Sequence, residues 1–195
     1  MAELRLTSTS PAQSYNEPIS TLAMKEFFHV PVLSPTDSQQ DTEIDGLTAG
    51  AREMAEAYQG RDLAGRQWDL WLDGFFEIEI QLRHPLESVD LFQYKDSDGT
   101  TTALVENTGY IVDTVSATVQ PVYGGSWPSF EAWPSLPVLI RFTTSDLVVP
   151  EVVLAGMKLL ASDWYYDRLP RNIGGPDLPL HIQRLLEHGA IQRIR

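Results

Sequence analysis

A chain of 195 residues, 43% hydrophobic and 21% charged, has the composition of an ordinary globular protein that can bury a core without staples. The absence of cysteine excludes disulfides, thiolate zinc sites and thiol nucleophiles, and it favours folding in a reducing cytoplasm. The net charge of -13 argues against binding to a phosphate backbone, since such binding needs Lys and Arg to replace counterions.

The charge is distributed unevenly along the chain. Residues 1–65 carry ten acids and four bases, residues 66–147 twelve and four, and residues 148–195 five and six. The acidic part is typical of a solvated surface. The near-neutral end is either a further part of that solvated surface or a segment that docks on a partner. The polar N-terminus lacks a signal-peptide core, and no stretch approaches the roughly 18 apolar residues of a membrane span. We therefore expect a soluble protein without a membrane association.

The N-terminal third predicts an arm followed by two helices. Residues 1–17 lack periodicity and are rich in Ser, Thr, Pro and Gln, which indicates a flexible or partner-ordered arm. Ser20 is the predicted N-cap of a short helix that Pro31 ends. A longer helix is expected to begin at Asp37 or Ser38 and to stop at Gly60. Its buried face is predicted from the helical spacing of Ile44, Leu47, Ala51, Met54 and Tyr58.

From Gln67 the hydrophobic period changes from 3.6 to 2, which indicates strands. The first two, over 67–72 and 77–83, are predicted to form a hairpin about Asp73 and Gly74, with Ile78 and Ile80 facing inward. A third strand is expected to run to Tyr94, turn over 96–99 and return over 101–105. Further strands are predicted over 110–113, 117–122 and 138–142, with a long loop over 124–137.

After Pro150 the helical period returns, with Val153, Met157, Leu160 and Trp164 on one stripe, and a last short helix is predicted over 180–187. The sequence therefore predicts an α+β fold in which about four helices from both chain ends form a scaffold around an inserted antiparallel β-rich segment. The expected boundaries are an arm over 1–17, the scaffold over 18–65 and 148–190, the β-rich segment over 66–147 and a tail over 191–195.

No pattern in the sequence predicts catalysis or metal binding. Asp96 and Asp98 begin like a calcium loop, but the glycine is misplaced and the twelfth position is Asn107, so a hairpin turn is favoured. Glu77 and Glu79 alternate with isoleucines, which is typical of a wet outer strand face and not of an acid/base pair. The histidines show no metal-ligand spacing. We expect no catalytic residue, cofactor or metal.

Two groups of residues, one aromatic and one acidic, remain open to more than one interpretation. Trp127 and Trp133, in the long loop, are either a satellite cluster over the sheet or anchors of an interface. Asp163 and Asp167 stand at i and i+4 on the third helix, where like charges repel unless a base intervenes. A pairing with Arg168, or with an arginine of a neighbouring subunit, is favoured over a catalytic role.

The order of these features resembles the head-to-tail connector, or adaptor, proteins of long-tailed double-stranded DNA phages, related prophages and gene transfer agents. The resemblance covers roughly residues 18–170. It is carried by Leu22 and Lys25 before a Val-Pro break, and by the runs AREMAEAYQGRDL, QWDLWLDGF, HPLESVDLFQYKDSDG, YIVD, VLIRF and SDWYYDR, with Trp127-Pro128 and Val149-Pro150. The sequence departs from the family in having Thr144-Ser145-Asp146-Leu147 where Gly-Tyr is usual.

The resemblance implies a structural virion protein and not an enzyme. Its implied place is a twelve-fold homo-oligomeric ring beneath the portal protein and above a stopper or tail-completion protein, with genome DNA passing through without sequence-specific binding. The implied location is the neck of the virion, with assembly in the host cytoplasm. The alternatives are a tail-completion or stopper-type subunit and, further away, a small ligand-binding or enzymatic β domain.

Three sets of residues are expected to serve this assembly. The portal interface is expected at Leu185, Leu186, Ile191, Arg193, Ile194 and Arg195. The interface between subunits is expected at Asp163, Trp164, Asp167, Arg168, Trp127 and Trp133. An acidic channel wall, on which a duplex slides without being held, is expected to include Glu43, Asp45 and Glu77.

Overall fold

The computed structural model describes residues 2–6, 16–30, 38–166 and 179–188. These residues divide into two compact units. The helical unit comprises residues 16–63 and those from 148 onward, and the β unit comprises residues 64–147 together with the N-terminal strand. Four helices and two antiparallel sheets are described, which confirms the predicted α+β class.

The helices of the helical unit are α1 (Thr21–Phe27), α2 (Ser38–Gln59), α3 (Glu151–Tyr166) and α4 (Leu180–Leu186). Two predicted helix ends are confirmed. The Ser20 hydroxyl accepts a hydrogen bond from the Ala23 N–H at 3.2 Å, so Ser20 is the N-cap of α1. Gly60 follows α2 at φ 70°, a left-handed conformation that suits glycine and ends the helix. Asp37, one of the two N-caps expected for α2, lies outside the described residues.

The buried face of α2 differs from the predicted one. Ile44 and Ala51 are buried as expected, but Met54 and Tyr58 are each 39% exposed. The inward face continues instead through polar and charged side chains, namely Thr48, Arg52, Glu56 and Gln59. The prediction failed because a hydrophobic stripe was sought where Arg52 and Glu56 pair with each other and Thr48 and Gln59 donate to the Ile44 and Leu186 carbonyls.

The stripe predicted for α3 is confirmed at three of its four positions, and the fourth, Trp164, is half-buried. Val153, Met157 and Leu160 are at most 1% exposed. Gly156, on the same face, brings α4 close to α3, because a Cβ there would stand 3.0 Å from Leu186 Cδ2. The last helix is thus packed on α3 through a glycine that leaves room for it.

The β unit contains β1 (Ala2–Leu6), β2 (Gln67–Leu72), β3 (Ile80–Gln81), β4 (Leu86–Lys95), β5 (Thr101–Ala103), β6 (Tyr110–Asp113), β7 (Thr118–Pro121) and β8 (Val138–Thr144). One sheet has the order β1-β2-β8-β4-β5 and the other β3-β7-β6. In the larger sheet Ile140 of β8 lies between Leu70 of β2 and Phe92 of β4. All three side chains belong to the apolar core of the unit.

The predicted hairpin between the first two β segments is wrong. β2 pairs with β1 and β8, whereas β3 lies in the other sheet and pairs with β7. Residues 73–79 are a loop, and Ile78, expected to face inward, is 79% exposed. Alternation fixes the two faces of a strand but does not identify its partner, which here comes from much later in the chain.

The remaining β predictions are largely confirmed. β4 turns into β5 through Asp96 and Gly99, where Gly99 has φ 90° and donates its N–H to the Asp96 carbonyl at 3.0 Å. β6 covers the predicted range, and β7 and β8 begin within one residue of theirs. Strand β1 was not predicted: Ala2, Leu4 and Leu6 alternate with Glu3 and Arg5, but this five-residue pattern was hidden by the polar composition of residues 1–17.

Candidate assembly surfaces

The segment that leads to the C-terminus is anchored within the helical unit. Leu186 is fully buried, so it packs inside the subunit in place of the exposed contact expected of it, and Leu185 is half-buried. Gln59 Nε2 donates to the Leu186 carbonyl at 2.9 Å, and the Tyr58 hydroxyl donates to Glu187 Oε1 at 3.0 Å. The bond to Glu187 raises the pKa of Tyr58. The other expected portal contacts, namely Ile191, Arg193, Ile194 and Arg195, lie outside the described residues.

The C-terminal end of α3 is an aromatic contact surface for α1. The ring of Tyr165 stacks on Phe28 with centroids 4.6 Å apart, and the Tyr166 hydroxyl donates to the Phe28 carbonyl at 2.5 Å. Trp164, expected at a subunit interface, is half-buried and lies against α2 at Gly50. Its ring therefore already has a partner within the subunit.

Asp163 lies on the other side of this helix end, where it is half-buried. It lines a cavity of about 320 Å³ together with Ser162, Tyr166 and His181. Asp167 and Arg168, the other members of the expected ionic pairing, lie outside the described residues. The pairing of Asp163 with an arginine stays a prediction.

The two loop tryptophans have different environments. Trp127 belongs to an aromatic cluster and stacks on Phe75 with centroids 5.0 Å apart and an interplanar angle of 12°. Its indole N–H donates to the carbonyls of Glu77 and Ile78 at 2.8 and 3.2 Å. The satellite-cluster interpretation therefore holds for Trp127, which also fixes the 73–79 loop. Trp133 is 38% exposed, and Lys95 Nζ lies 3.9 Å from its ring centroid in a cation–π contact.

The acids expected at a channel wall are all exposed. Glu43 and Asp45 lie on α2, where the Thr21 hydroxyl donates to Asp45 Oδ1 at 2.6 Å. Glu77 lies in the loop of the β unit that Trp127 holds. Each carboxylate is thus presented to solvent by a fixed backbone segment.

A buried ionic network of the helical unit was missed. Arg52, 1% exposed, donates through Nε to the Glu17 carboxylate at 3.1 and 3.2 Å and through Nη1 to Glu56 Oε2 at 2.9 Å. The second oxygen of Glu56 accepts the Leu63 N–H at 2.9 Å. Burial lowers the pKa of Arg52, but the Glu56 and Glu17 carboxylates outweigh it and raise that pKa overall.

This network ties the start and end of the first helical segment to the middle of α2. Glu17 lies before α1 and was assigned to the flexible arm, and Leu63 closes the segment. The i,i+4 spacing of Arg52 and Glu56 was a signal in the sequence, but it is equally typical of a solvated helix face. The network has a structural role, because Arg52 and the Leu63 N–H both donate to carboxylates of the same unit.

Three further features of the described residues bear on other functions. Within them, no group of three or more His, Asp or Glu side chains could hold a metal ion. None of the described helices has the length and apolar character needed to cross a bilayer. A cavity of about 310 Å³ in the β unit is lined mainly by apolar side chains, among them Leu70, Leu72, Phe76 and Ile80.

Solved structures share this fold over nearly the whole chain. The neck of an empty gene transfer agent particle, computed with C6 symmetry, matches at a TM-score of 0.71 and 14% identity, covering 99% of this chain and 97% of that chain. The virion of a native gene transfer agent particle matches at 0.67 and 19%, covering 98% and 97%. The neck of a native particle, computed with C12 symmetry, matches at 0.66 and 19%, covering 99% and 97%.

The chain has the fold of a gene transfer agent particle component. Because the matches cover 98–99% of this chain, the likeness includes residues of both units. No protein-family model matches the sequence, and no curated protein matches it.

Proposed function

We propose that the chain is a structural subunit of the neck of a tailed, phage-like particle, where it forms a connector ring between the portal and the tail. The observation that carries this proposal is the match over 99% of the chain to a component of a neck computed with C12 symmetry. A neck computed with C6 symmetry contains the same fold. Because six-fold symmetry is a subset of twelve-fold symmetry, both reconstructions are compatible with a ring of twelve copies.

The charge of the chain supports a role beside DNA that does not involve gripping it. A conduit must let the duplex move. The net charge of -13 opposes tight binding to DNA, because such binding needs Lys and Arg to replace the counterions of the phosphates. In the proposed ring, Glu43, Asp45 and Glu77 face the channel or its rim, where their exposed carboxylates repel the phosphates. A channel wall lined mainly by Lys and Arg would contradict this part of the proposal.

The C-terminal segment is the proposed contact with the portal. It leaves α4, whose position is fixed by the bonds of Gln59 and Tyr58, and it carries Ile191, Arg193, Ile194 and Arg195. Two isoleucines and two arginines suit a partner surface with an apolar groove and acidic flanks. In this proposal α4 fixes where the C-terminal residues 191–195 begin, and these residues contact the portal.

The decisive experiment is a symmetry-resolved image of particles that contain the chain. We expect twelve copies in a ring between the portal and the tail. Six copies bound directly to the tail tube would favour the stopper or tail-completion alternative. The absence of the chain from the neck would reject the proposed function, and a specific small ligand in the 310 Å³ cavity of the β unit would favour a binding domain.

Removal of Gln192 to Arg195 tests the portal contact. We expect weaker binding to purified portal rings and an unchanged unfolding temperature, because these residues follow the helical unit's last described helix. A matched control keeps the length and replaces Arg193 and Arg195 by Gln, which separates charge from chain length. Unchanged portal binding of the truncated chain would refute the contact.

A further inference from the structure

Strand β1 joins the β unit from a distant part of the chain. The other described strands of this unit lie within residues 64–147, whereas β1 (Ala2–Leu6) precedes the helical unit, which begins at Asn16. Among the described strands β1 is hydrogen-bonded to β2 alone, at one edge of the five-stranded sheet. It is a separate piece that completes a sheet otherwise built from one continuous segment.

The described side chains of β1, those of Glu3, Leu4 and Arg5, contribute little burial. Leu4 is 40% exposed, Arg5 is exposed and Glu3 is half-buried. The Arg5 guanidinium binds Glu3 of the same strand, with Nε 2.7 Å from Oε1, so this ion pair travels with the strand. The contacts described for β1 are therefore mainly its backbone pairing with β2. Segments with few buried apolar contacts open locally at a small fraction of the global unfolding free energy.

The β2 edge is nevertheless a specific receptor for this sequence. Leu4 pairs with Leu70 of the core face, and Arg5 stands opposite Asp69. Arg141 holds Asp69 through two hydrogen bonds of 2.7 and 2.9 Å. A slip of one residue would place Arg5 opposite the core-facing Leu70, so the register is selected. Any copy of the β1 sequence fits this edge equally well.

The covalent connection does not force β1 onto its own sheet. The segment of nine residues from 7 to 15 joins Leu6 to Asn16 and, when extended, spans at most roughly 30 Å. In a cyclic ring, a neighbouring β2 edge that lies within reach of this tether is offered to β1 at a high effective concentration. A tether of this length is comparable with the dimensions of a small domain.

We infer that β1 is exchanged between neighbouring copies when subunits assemble: each β1 leaves its own β2 and pairs with the β2 edge of the next copy. This inference rests on the proposed ring function. The hydrogen bonds made are the same in both states, so the exchange is nearly neutral in contact energy. Each subunit is then held to the next by a strand that is covalently part of one copy and hydrogen-bonded to the other, which strengthens the ring.

The absence of cysteine allows a direct test with engineered pairs. We choose Glu3→Cys with Trp71→Cys and, separately, Leu4→Cys with Leu70→Cys, since both are cross-strand partners. Adjacent pairs on antiparallel strands alternate between two geometries, so the two variants sample both for disulfide formation. Oxidation of the free subunit locks β1 onto its own sheet. We expect the locked subunit to enter particles less efficiently than the reduced one and reduction to restore its incorporation.

The matched control is Glu3→Cys with Gln67→Cys. Gln67 lies four residues from Trp71, the partner of Glu3, and is displaced from it by roughly 13 Å along β2. This variant is expected to form no bond within the subunit and to assemble under both conditions. This control separates the effect of the lock from the effect of introducing two thiols and an oxidant.

A second readout uses particles assembled from reduced double variants and oxidised afterwards. Exchange predicts a ladder of covalent oligomers on a denaturing, non-reducing gel. Cross-linked monomers alone, or locked subunits that assemble as well as reduced ones, would overturn the inference. If imaging places the chain in the neck ring while only monomers are cross-linked, the exchange is wrong and the proposed function stands. If the chain is absent from the neck, the proposed function is wrong, and the exchange inferred from it is rejected as well.

Discussion

The two units bury different chemistry at their centres. In the helical unit, the inward face of α2 carries Arg52 and Glu56, which are 1% and 2% exposed. In the β unit, the central row across three strands is Leu70, Ile140 and Phe92. A buried ion pair holds its neighbours only while both charges are present, whereas an apolar row depends on the volume that fills it. The helical unit thus contains a buried element that depends on charge pairing beside its apolar side chains, whereas the central row of the β unit depends on packing alone.

This difference shows how each unit fixes its own chain. Arg52 and Glu56 reach the segment before α1 through Glu17 and the segment after α2 through the Leu63 N–H. Directional bonds of this kind determine where a chain enters and leaves a helix. In the β unit the same task falls to strand register and to the indole of Trp127, which holds the 73–79 loop.

The largest expected effect is that of Arg52→Ala. The substitution leaves the carboxylate of Glu56 buried without its cation, a change that costs about 3 to 5 kcal/mol of unfolding free energy. Urea unfolding of the purified chain, followed by circular dichroism at 222 nm to report the helices, measures it.

A double variant decides whether pairing is the cause. Arg52→Met with Glu56→Gln removes both charges and keeps an oxygen that can accept the Leu63 N–H. We expect it to be clearly more stable than Arg52→Ala, because no charge is left buried. A loss equal in the two variants would mean that Arg52 acts through its packing, and the contrast between the units would disappear.

The next effect is that of Ile140→Ala in the β unit. Ile140 is fully buried between β2 and β4, so truncation leaves a cavity and costs about 2 to 5 kcal/mol. The graded control is Ile140→Val, for which the expected loss is about 1 kcal/mol. Tryptophan fluorescence during urea unfolding follows this unit, which contains four of the five tryptophans. Equal losses for Ala and Val would contradict a core governed by volume.

The sequence predicted the elements that depend on local pattern. The α3 stripe, the Ser20 cap, the Gly60 stop and the turn at Asp96 to Gly99 are all encoded within a few residues of where they occur. Each follows from a backbone preference or a period that neighbouring residues share.

The failures are non-local. β2 pairs with β1 and β8, which are far away in sequence, and the alternation within β2 identifies neither partner. The polar side chains on the inward face of α2 look like solvent-facing residues until their partners are known. Of the expected contacts, Leu186 was misjudged for a related reason, since its exposure depends on Gly156 of another helix.

A smaller effect is expected for Trp127→Phe, which tests the polar element inside the apolar β unit. The substitution keeps an aromatic ring against Phe75 but removes the indole N–H that bonds the Glu77 and Ile78 carbonyls. The expected loss is about 1 kcal/mol, together with faster amide hydrogen exchange in residues 73–79. Trp133→Phe is the control, because no hydrogen bond from its indole to that loop is described. Unchanged exchange in the loop would show that stacking alone holds it.

The smallest effect is expected for Asp113→Asn, at the turn between β6 and β7. The pKa of Asp113 is lowered by the Ser116 hydroxyl and then by the backbone N–H groups of Ser116 and Val115, the latter at 2.9 Å. Because the folded pKa lies below the ordinary value of 3.8, the charged form stabilises the fold above that value, and this contribution is lost as pH falls through the folded pKa.

We therefore expect Asp113→Asn to lower the unfolding temperature slightly at pH 7, with the difference from the parent chain shrinking below about pH 4. The control Glu79→Gln removes the same charge from another exposed position of the β unit. A difference that persists unchanged into acid would show that the turn depends on the shape of the side chain and not on its charge. In that case the β unit would owe even its exposed turns to geometry, and the contrast with the charge-paired helical unit would be sharper still.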